Sequence, residues 1–290
     1  MPELISRLKQ ILSMPENEQR FHDLCNALEN EQVIPFIGSG MSVPSGLPSW
    51  PEFLRLLRCH SRMTEDDLET LLKDSFFEEA VEQIEQSMPA RLFNERIEHD
   101  LQVDISKSIN GAIRFLPELF DKLILTTNLD ELLERLYLER NKCFQHVLAG
   151  DGIGDYRMLK ATSRHVLLKL HGNSKKSEGR ILSKAENDRA YLSRSVVRDE
   201  LELIYKTNSL LCLGCSLGPD RIMSVLAEVA KIDKRMPRHY AFLHMPDDGS
   251  LLIREHFLAE SGIFPIWYKG DHDECIQSLF VGMLQHLGKL

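Results

Sequence analysis

The sequence contains no run approaching ~20 uninterrupted apolar residues, which excludes a helix crossing a bilayer. Its N-terminal stretch, MPELISRLKQILSMPENEQR, carries charges throughout and lacks the apolar middle of a secretion signal, so the chain is expected in the cytoplasm. Positive charge is not in excess: 35 Lys and Arg stand against 44 Asp and Glu, for a formal net charge of −9. That balance leaves no basic surface on average, and direct nucleic-acid binding is not expected. The local basic run 231–238 reads as a solvated helix end. Cysteine is sparse and scattered, at Cys25, Cys59, Cys143, Cys212, Cys215 and Cys275. Only Cys212 and Cys215 have metal or redox spacing, and they lie inside the apolar run NSLLCLGCSL. A structural zinc site needs four ligands and no second pair completes one, so the two read as small buried hydrophobes and no metal is expected. There is no internal repeat, low-complexity tract or long linker.

What is there is ordinary globular material: 43% hydrophobic and 27% charged residues over 290 positions, enough for one large core with a smaller satellite. Six short runs are nearly continuous in apolar residues: 32–40, 122–128, 165–173, 209–217, 239–245 and 262–268. Strands covered on both faces, as in a parallel sheet, have this pattern. Helical stretches at 130–139, 195–206, 219–232 and 271–287 separate most of them. The alternation predicts an α/β fold, a Rossmann-like doubly wound parallel sheet with crossover helices. The interval 49–117 breaks the rhythm, with helical periodicity and no convincing strand. Ser49 and Glu52 form a capping box there, Pro51 is tolerated in the first turn, and EEAVEQIEQ and ISKSINGAIRFL continue the pattern. We therefore expect an N-terminal helical segment (1–30), a sheet domain (31–48 and 118–290) and a helical insertion (49–117) leaning over the strand ends.

Ligands of open α/β sheets bind beyond the carboxyl ends of the strands, so each end is read for polar residues. The first ends in FIGSGMSVPSG. Gly38 and Gly40 allow a tight turn and close approach of the backbone to a ligand, while successive N–H groups with the Ser39 and Ser42 hydroxyls suit an anion. The spacing is not the usual dinucleotide fingerprint: a third glycine would fall at Val43 and comes at Gly46. Glycines also serve plain turns, and that reading stays open. The second strand ends in LTTNLDELLERL, where Asn128 can bind ribose hydroxyls or water, and Asp130 can accept from an amide or cap the next helix. The third ends in LLKLHGNSKK. His171 emerges from the core beside Gly172, placed to take a proton, or it is a satisfied core histidine. The fourth ends in CLGCSLGPD, where Gly214 and Ser216 precede a helix start at Pro219 and Asp220.

In that order, VIPFIGSGMS, LTTNLDELLE, LKLHGN and LLCLGCSL resemble the motif set of the sirtuin-like superfamily, most closely its bacterial branch of NAD hydrolases acting in antiphage defence. SVPSGLPSWPEFL and the strand order support that branch. The resemblance covers roughly 30–48 and 118–287. It implies that NAD is the substrate and that Gly38, Ser39, Gly40 and Ser42 form the phosphate-binding turn. Asn128 would hold the nicotinamide ribose or the attacking water, Asp130 would lie near the carboxamide, and His171 would be the general base. Gly214 and Ser216 would face the cofactor, and Tyr268 with Gly270 would lie near the adenine. The two cysteine pairs of the zinc module of deacylating sirtuins are missing, Pro48-Ser49-Trp50 stands where they carry Asp-Phe-Arg, and Thr127 replaces their glutamine.

The expected function is therefore hydrolysis of NAD to nicotinamide and ADP-ribose. So draining an activity needs control by self-assembly or by a partner: a homo-oligomer is expected, and the resemblance implies a HerA-type translocase as partner. Two other classes remain in view: a non-catalytic NAD or ADP-ribose receptor within a defence complex, and an NAD-dependent deacylase. A hydride-transferring dehydrogenase is disfavoured by the glycine spacing and by the want of a ribose-binding acid after the second strand.

Overall fold

A computed structural model describes residues 2–159, 165–247 and 249–290. Seven strands form one sheet: β1 Val33–Ile37, β2 Leu123–Thr126, β3 His146–Ala149, β4 Val166–Lys169, β5 Ser209–Leu213, β6 His239–His244 and β7 Ile263–Tyr268. Their order is β3-β4-β2-β1-β5-β6-β7, and every neighbouring pair is parallel. Six are the apolar runs expected from the sequence, trimmed of their polar ends. β3 is additional; it lies at the sheet edge with its side chains exposed or half-buried, so it needs no continuous apolar run.

Side-chain alternation sends successive residues to opposite faces of the sheet. Ile37, Leu211 and Leu213 join one core with the helices Pro2–Leu12, Asn17–Glu29 and His272–His286. Phe36, Leu210 and Cys212 join the other, beneath Val196–Thr207, Arg221–Ile232 and Leu251–Glu260. The fold is thus a doubly wound α/β sheet. The Cys212 thiol is buried in that second core, while Cys215 Sγ lies 3.6 Å from the Phe36 carbonyl; both thiols are free.

Between β1 and β2, four helices (Trp50–Arg58, Glu65–Lys73, Phe77–Gln86 and Ala90–Asp100) enclose a third core built on Phe53, Leu57, Ile84 and Ile97. Leu129 and Leu182, from the loops after β2 and β4, plug its base and seat these helices over the strand ends. Ser49 N–H donates to the Glu52 carboxylate at 2.8 Å, completing the capping box. The helical pattern expected through ISKSINGAIRFL is not realised before Ala112. The Asp104 carboxylate takes the Ser106 N–H at 2.9 Å, a local bond that competes with a helix. Gly111 then turns at φ +87°, and Asp273 receives the Ala112 N–H at 2.6 Å.

From β1 the chain moves one way along the sheet to β2, and it later returns to β1's other side as β5. The loops after β1 and β5 therefore flank the crevice where the strand order reverses, the usual ligand position of such sheets.

Candidate active site

At that crevice three glycines interlock. Gly38 N–H donates to the Leu213 carbonyl at 2.8 Å and Gly40 N–H to the Gly214 carbonyl at 3.0 Å. A Cβ on Gly38 would stand 2.5 Å from the Gly214 oxygen, and one on Gly40 2.9 Å from it. Gly214 has φ +65°, and its Cβ would meet the Met41 nitrogen at 2.5 Å. Side chains are excluded here by backbone packing between two strand ends. The turn continues as a 3-10 helix, Ser39–Met41, in which Met41 N–H bonds the Gly38 carbonyl and Ser42 N–H the Ser39 carbonyl. The N–H groups of Gly38, Gly40, Met41 and Ser42 are thus satisfied within the protein, which corrects the picture of an open nest of donors.

Ser42 is buried and joins β1 to the end of β2. Its hydroxyl accepts from Asn128 Nδ2 at 3.1 Å and donates to Asp130 Oδ2 at 3.3 Å. Asp130 Oδ1 takes the Leu132 N–H at 2.9 Å, so this carboxylate also fastens the start of the helix Leu132–Glu139. Burial pushes the Asp130 pKa up, against the pull of the Leu132 N–H, the Lys169 charge and the Ser42 hydroxyl. Asn128 N–H donates to Thr126 Oγ1, whose hydroxyl reaches the Ile37 carbonyl, locking β2 to β1. Only 6% of Asn128 is exposed, and its Oδ1 has no partner among the described residues.

Underneath lies Lys169, fully buried in β4 and overlooked in the reading of the sequence. Its ammonium donates to the Asp130 carbonyl at 2.6 Å and Glu134 Oε1 at 2.7 Å, with the Leu129 carbonyl at 3.4 Å. A lysine inside HVLLKLHGN was the available signal. Two residues on, half-buried His171 packs against Tyr191 with ring centroids 5.9 Å apart. Burial lowers the His171 pKa to about 4, so the imidazole is neutral at neutral pH, and its Nε2 has no partner among the described residues.

Gly38, Ser39, Gly40, Asn128, Asp130, His171, Gly214 and Ser216 line one cavity of about 440 Å³. Its roof comes from the four-helix insertion, through Trp50, Phe53, Phe76, Phe77 and Glu78. Its floor includes Asp220, whose carboxylate caps the helix Arg221–Ile232 through the Met223 N–H at 2.8 Å. Ser42 supports this cavity from behind and is not part of its lining. Tyr268 belongs to a neighbouring cavity of about 560 Å³, which shares Gly40, Gly214, Cys215 and Ser216 with the first. There the Tyr268 hydroxyl meets His272 Nδ1 at 2.8 Å, beside His244. Gly270 lines neither cavity. Arg254 also faces the second cavity and donates to the Ser216 carbonyl, a cation at the seam that lay in a stretch unassigned from sequence.

The family model of the SIR2-like domain matches residues 122–266, half of the 290-residue chain, which includes Asn128, Asp130, His171, Gly214 and Ser216. Similar solved structures include one from work on the mechanism and regulation of Sir2 enzymes, 16% identical, covering 92% of this chain and 99% of that one, with TM-score 0.48. Another, from work on sirtuin substrate affinity, is 13% identical over 94% of this chain and 99% of that one, with TM-score 0.39. A third, Sir2Af2 bound to a myristoylated histone peptide, is 12% identical over 94% of this chain and 100% of that one, with TM-score 0.40. No curated protein matches the chain.

Proposed function

We propose a function from one premise: this chain belongs to the SIR2-like domain family. The function is hydrolysis of NAD to nicotinamide and ADP-ribose. One observation carries it. Asn128 Oδ1 and His171 Nε2, delivered by different strands, belong to residues lining the same cavity, and both atoms are buried without partners among the described residues. Buried polar atoms left open in this way await a ligand or water.

The nicotinamide–ribose half of the dinucleotide fits this first cavity. Its pyrophosphate would cross the seam of Ser39, Gly40, Gly214 and Ser216 towards Arg254, and its adenosine would enter the second cavity beside Tyr268. The glycosidic bond to nicotinamide breaks through a cation-like sugar: the bonding pair goes to the ring nitrogen, nicotinamide departs neutral, and the positive charge passes to the ribose, where water attacks. What the protein supplies is a placed water, a base and a closed site. The Asn128 carbonyl oxygen accepts from that water or a ribose hydroxyl, while Ser42 holds the amide in position. Neutral His171 takes the proton. Deacylation is disfavoured by the scattered cysteines, which supply no second pair for a zinc module. The same reading extends to a cytoplasmic homo-oligomer, controlled by a HerA-type translocase, that depletes NAD in antiphage defence.

The test is nicotinamide release from NAD by the wild type, Asn128→Ala and His171→Ala, with and without candidate partners. General acid–base assistance is worth ~10²–10⁴-fold, so His171→Ala loses most of the activity. Unchanged release by both variants would sink the assignment.

A further inference from the structure

We propose that Glu78, delivered by the helical insertion, recognises the positive charge of the nicotinamide ring and makes the site selective for oxidised over reduced dinucleotide. The proposal rests on the dinucleotide reading of the first cavity and adds to it a residue from outside the SIR2-like match.

The cavity's charges favour a cation. Among the described residues Glu78, Glu79, Asp130 and Asp220 line it, against the single arginine Arg221. Two of those acids have structural duties: Asp130 bonds Ser42 and the Leu132 N–H, and Asp220 caps its helix. Glu78 is different. Its side chain is 17% exposed, and its Oε2 stands 3.0 Å from Arg221 Nη1 without hydrogen-bond geometry to any described donor. Arg221 cannot fully neutralise it, since its Nε also donates to Asp188 at 2.8 Å. Asn128 gives an independent sign that the cavity takes a polar ligand: it is 6% exposed and its Oδ1 is open.

Energetics point the same way. Burial, with Asp220, Glu79 and Asp188 adding to it and Arg221 opposing, raises the Glu78 pKa to about 7. A cation entering this desolvated place offsets the cost of the charged carboxylate, and unit charges at contact attract strongly there. The oxidised nicotinamide ring brings such a cation. The reduced ring is neutral at nearly the same size, and ADP-ribose has no nicotinamide ring, so the three separate charge from shape.

Calorimetry on the full chain tests this with carba-NAD, which keeps the cationic ring but resists hydrolysis, alongside NADH and ADP-ribose. Wild type is expected to prefer carba-NAD to NADH. Glu78→Gln should lose about tenfold for carba-NAD and stay within about twofold for the other two, which also verifies that the variant is folded. A Glu78→Gln protein that keeps the wild-type preference, or that loses all three ligands in parallel, overturns the proposal while leaving the dinucleotide site intact. If wild type binds none of the three, the dinucleotide reading and the proposal fall together.

Discussion

Lys169→Met removes the buried ammonium beneath the site while nearly preserving side-chain volume. In the native protein that ammonium satisfies the Asp130 carbonyl, pairs with Glu134 and approaches the Leu129 carbonyl, with no exposure of its own. Breaking a buried pair by deleting one partner costs about 3–5 kcal/mol, because the other charge stays buried. Glu134 keeps 23% of its side chain exposed, so water recovers part of that, whereas a stranded carbonyl adds about 1–3 kcal/mol. A net loss of about 3–5 kcal/mol is expected. At roughly 2–4 °C per kcal/mol for a chain of this size, melting falls by about 10 °C. Thermal and urea unfolding measure it. Glu134→Leu alone should also destabilise, yet the double variant should cost less than the sum of the singles, since an apolar pair replaces the ionic one without stranding a charge. The carbonyls that Lys169 grips belong to the loop carrying Asn128 and Asp130, so any activity should fall more than binding of ADP-ribose. A Lys169→Met protein within about 1 kcal/mol of wild type, or a double variant that is simply additive, refutes this reasoning.

Gly214→Ala places a Cβ 2.5 Å from the Met41 nitrogen in a residue at φ +65°. Left-handed strain of about 1–2 kcal/mol and overpacking of about 1–3 kcal/mol should together lower stability by about 2–5 kcal/mol in chemical denaturation; an unchanged midpoint would show that the two strand ends do not interlock. The pH profile of kcat/KM for NAD reports groups in the free enzyme. Glu78, at about 7, loses its charge as pH falls through that value, whereas burial keeps His171 neutral down to about 4. Wild type should therefore lose kcat/KM below pH 7, and Glu78→Gln should shift the acid limb to the lower range where Asp220, at about 6, and His171 protonate; a limb that stays in place in the variant contradicts this assignment.

The central strands were legible because both faces are covered, which forces the unbroken apolar runs of β1, β2, β4, β5 and β6. β3 escaped because an edge strand carries no such demand, and Val147 is indeed exposed. The crossover helix Leu251–Glu260 escaped because two of its apolar residues, Leu252 and Ile253, are exposed and blur the helical period. At 105–111 the composition suited a helix, but the Asp104–Ser106 turn and the left-handed Gly111 give the backbone other partners. Local periodicity cannot register such competition.

The site divides along the same line. Residues at strand ends could be read from position alone, since the sheet itself delivers Gly38, Asn128, His171 and Gly214 to one crevice. Groups whose role depends on tertiary surroundings could not: Glu78 acquires its character from burial, then from Arg221 and Asp220, and Lys169 from the loop after β2. The glycine spacing shows why one segment is not enough. In the usual fingerprint the third glycine permits close packing of helix on strand. Here the corresponding glycine, Gly46, has open space around its Cβ position and turns the chain after a 3-10 helix. Close approach to the first turn is instead provided by Gly214, from the adjacent strand. The fingerprint is thus distributed across the sheet. Its irregular spacing along the chain follows from a packing contact that only the pairing of β1 with β5 creates.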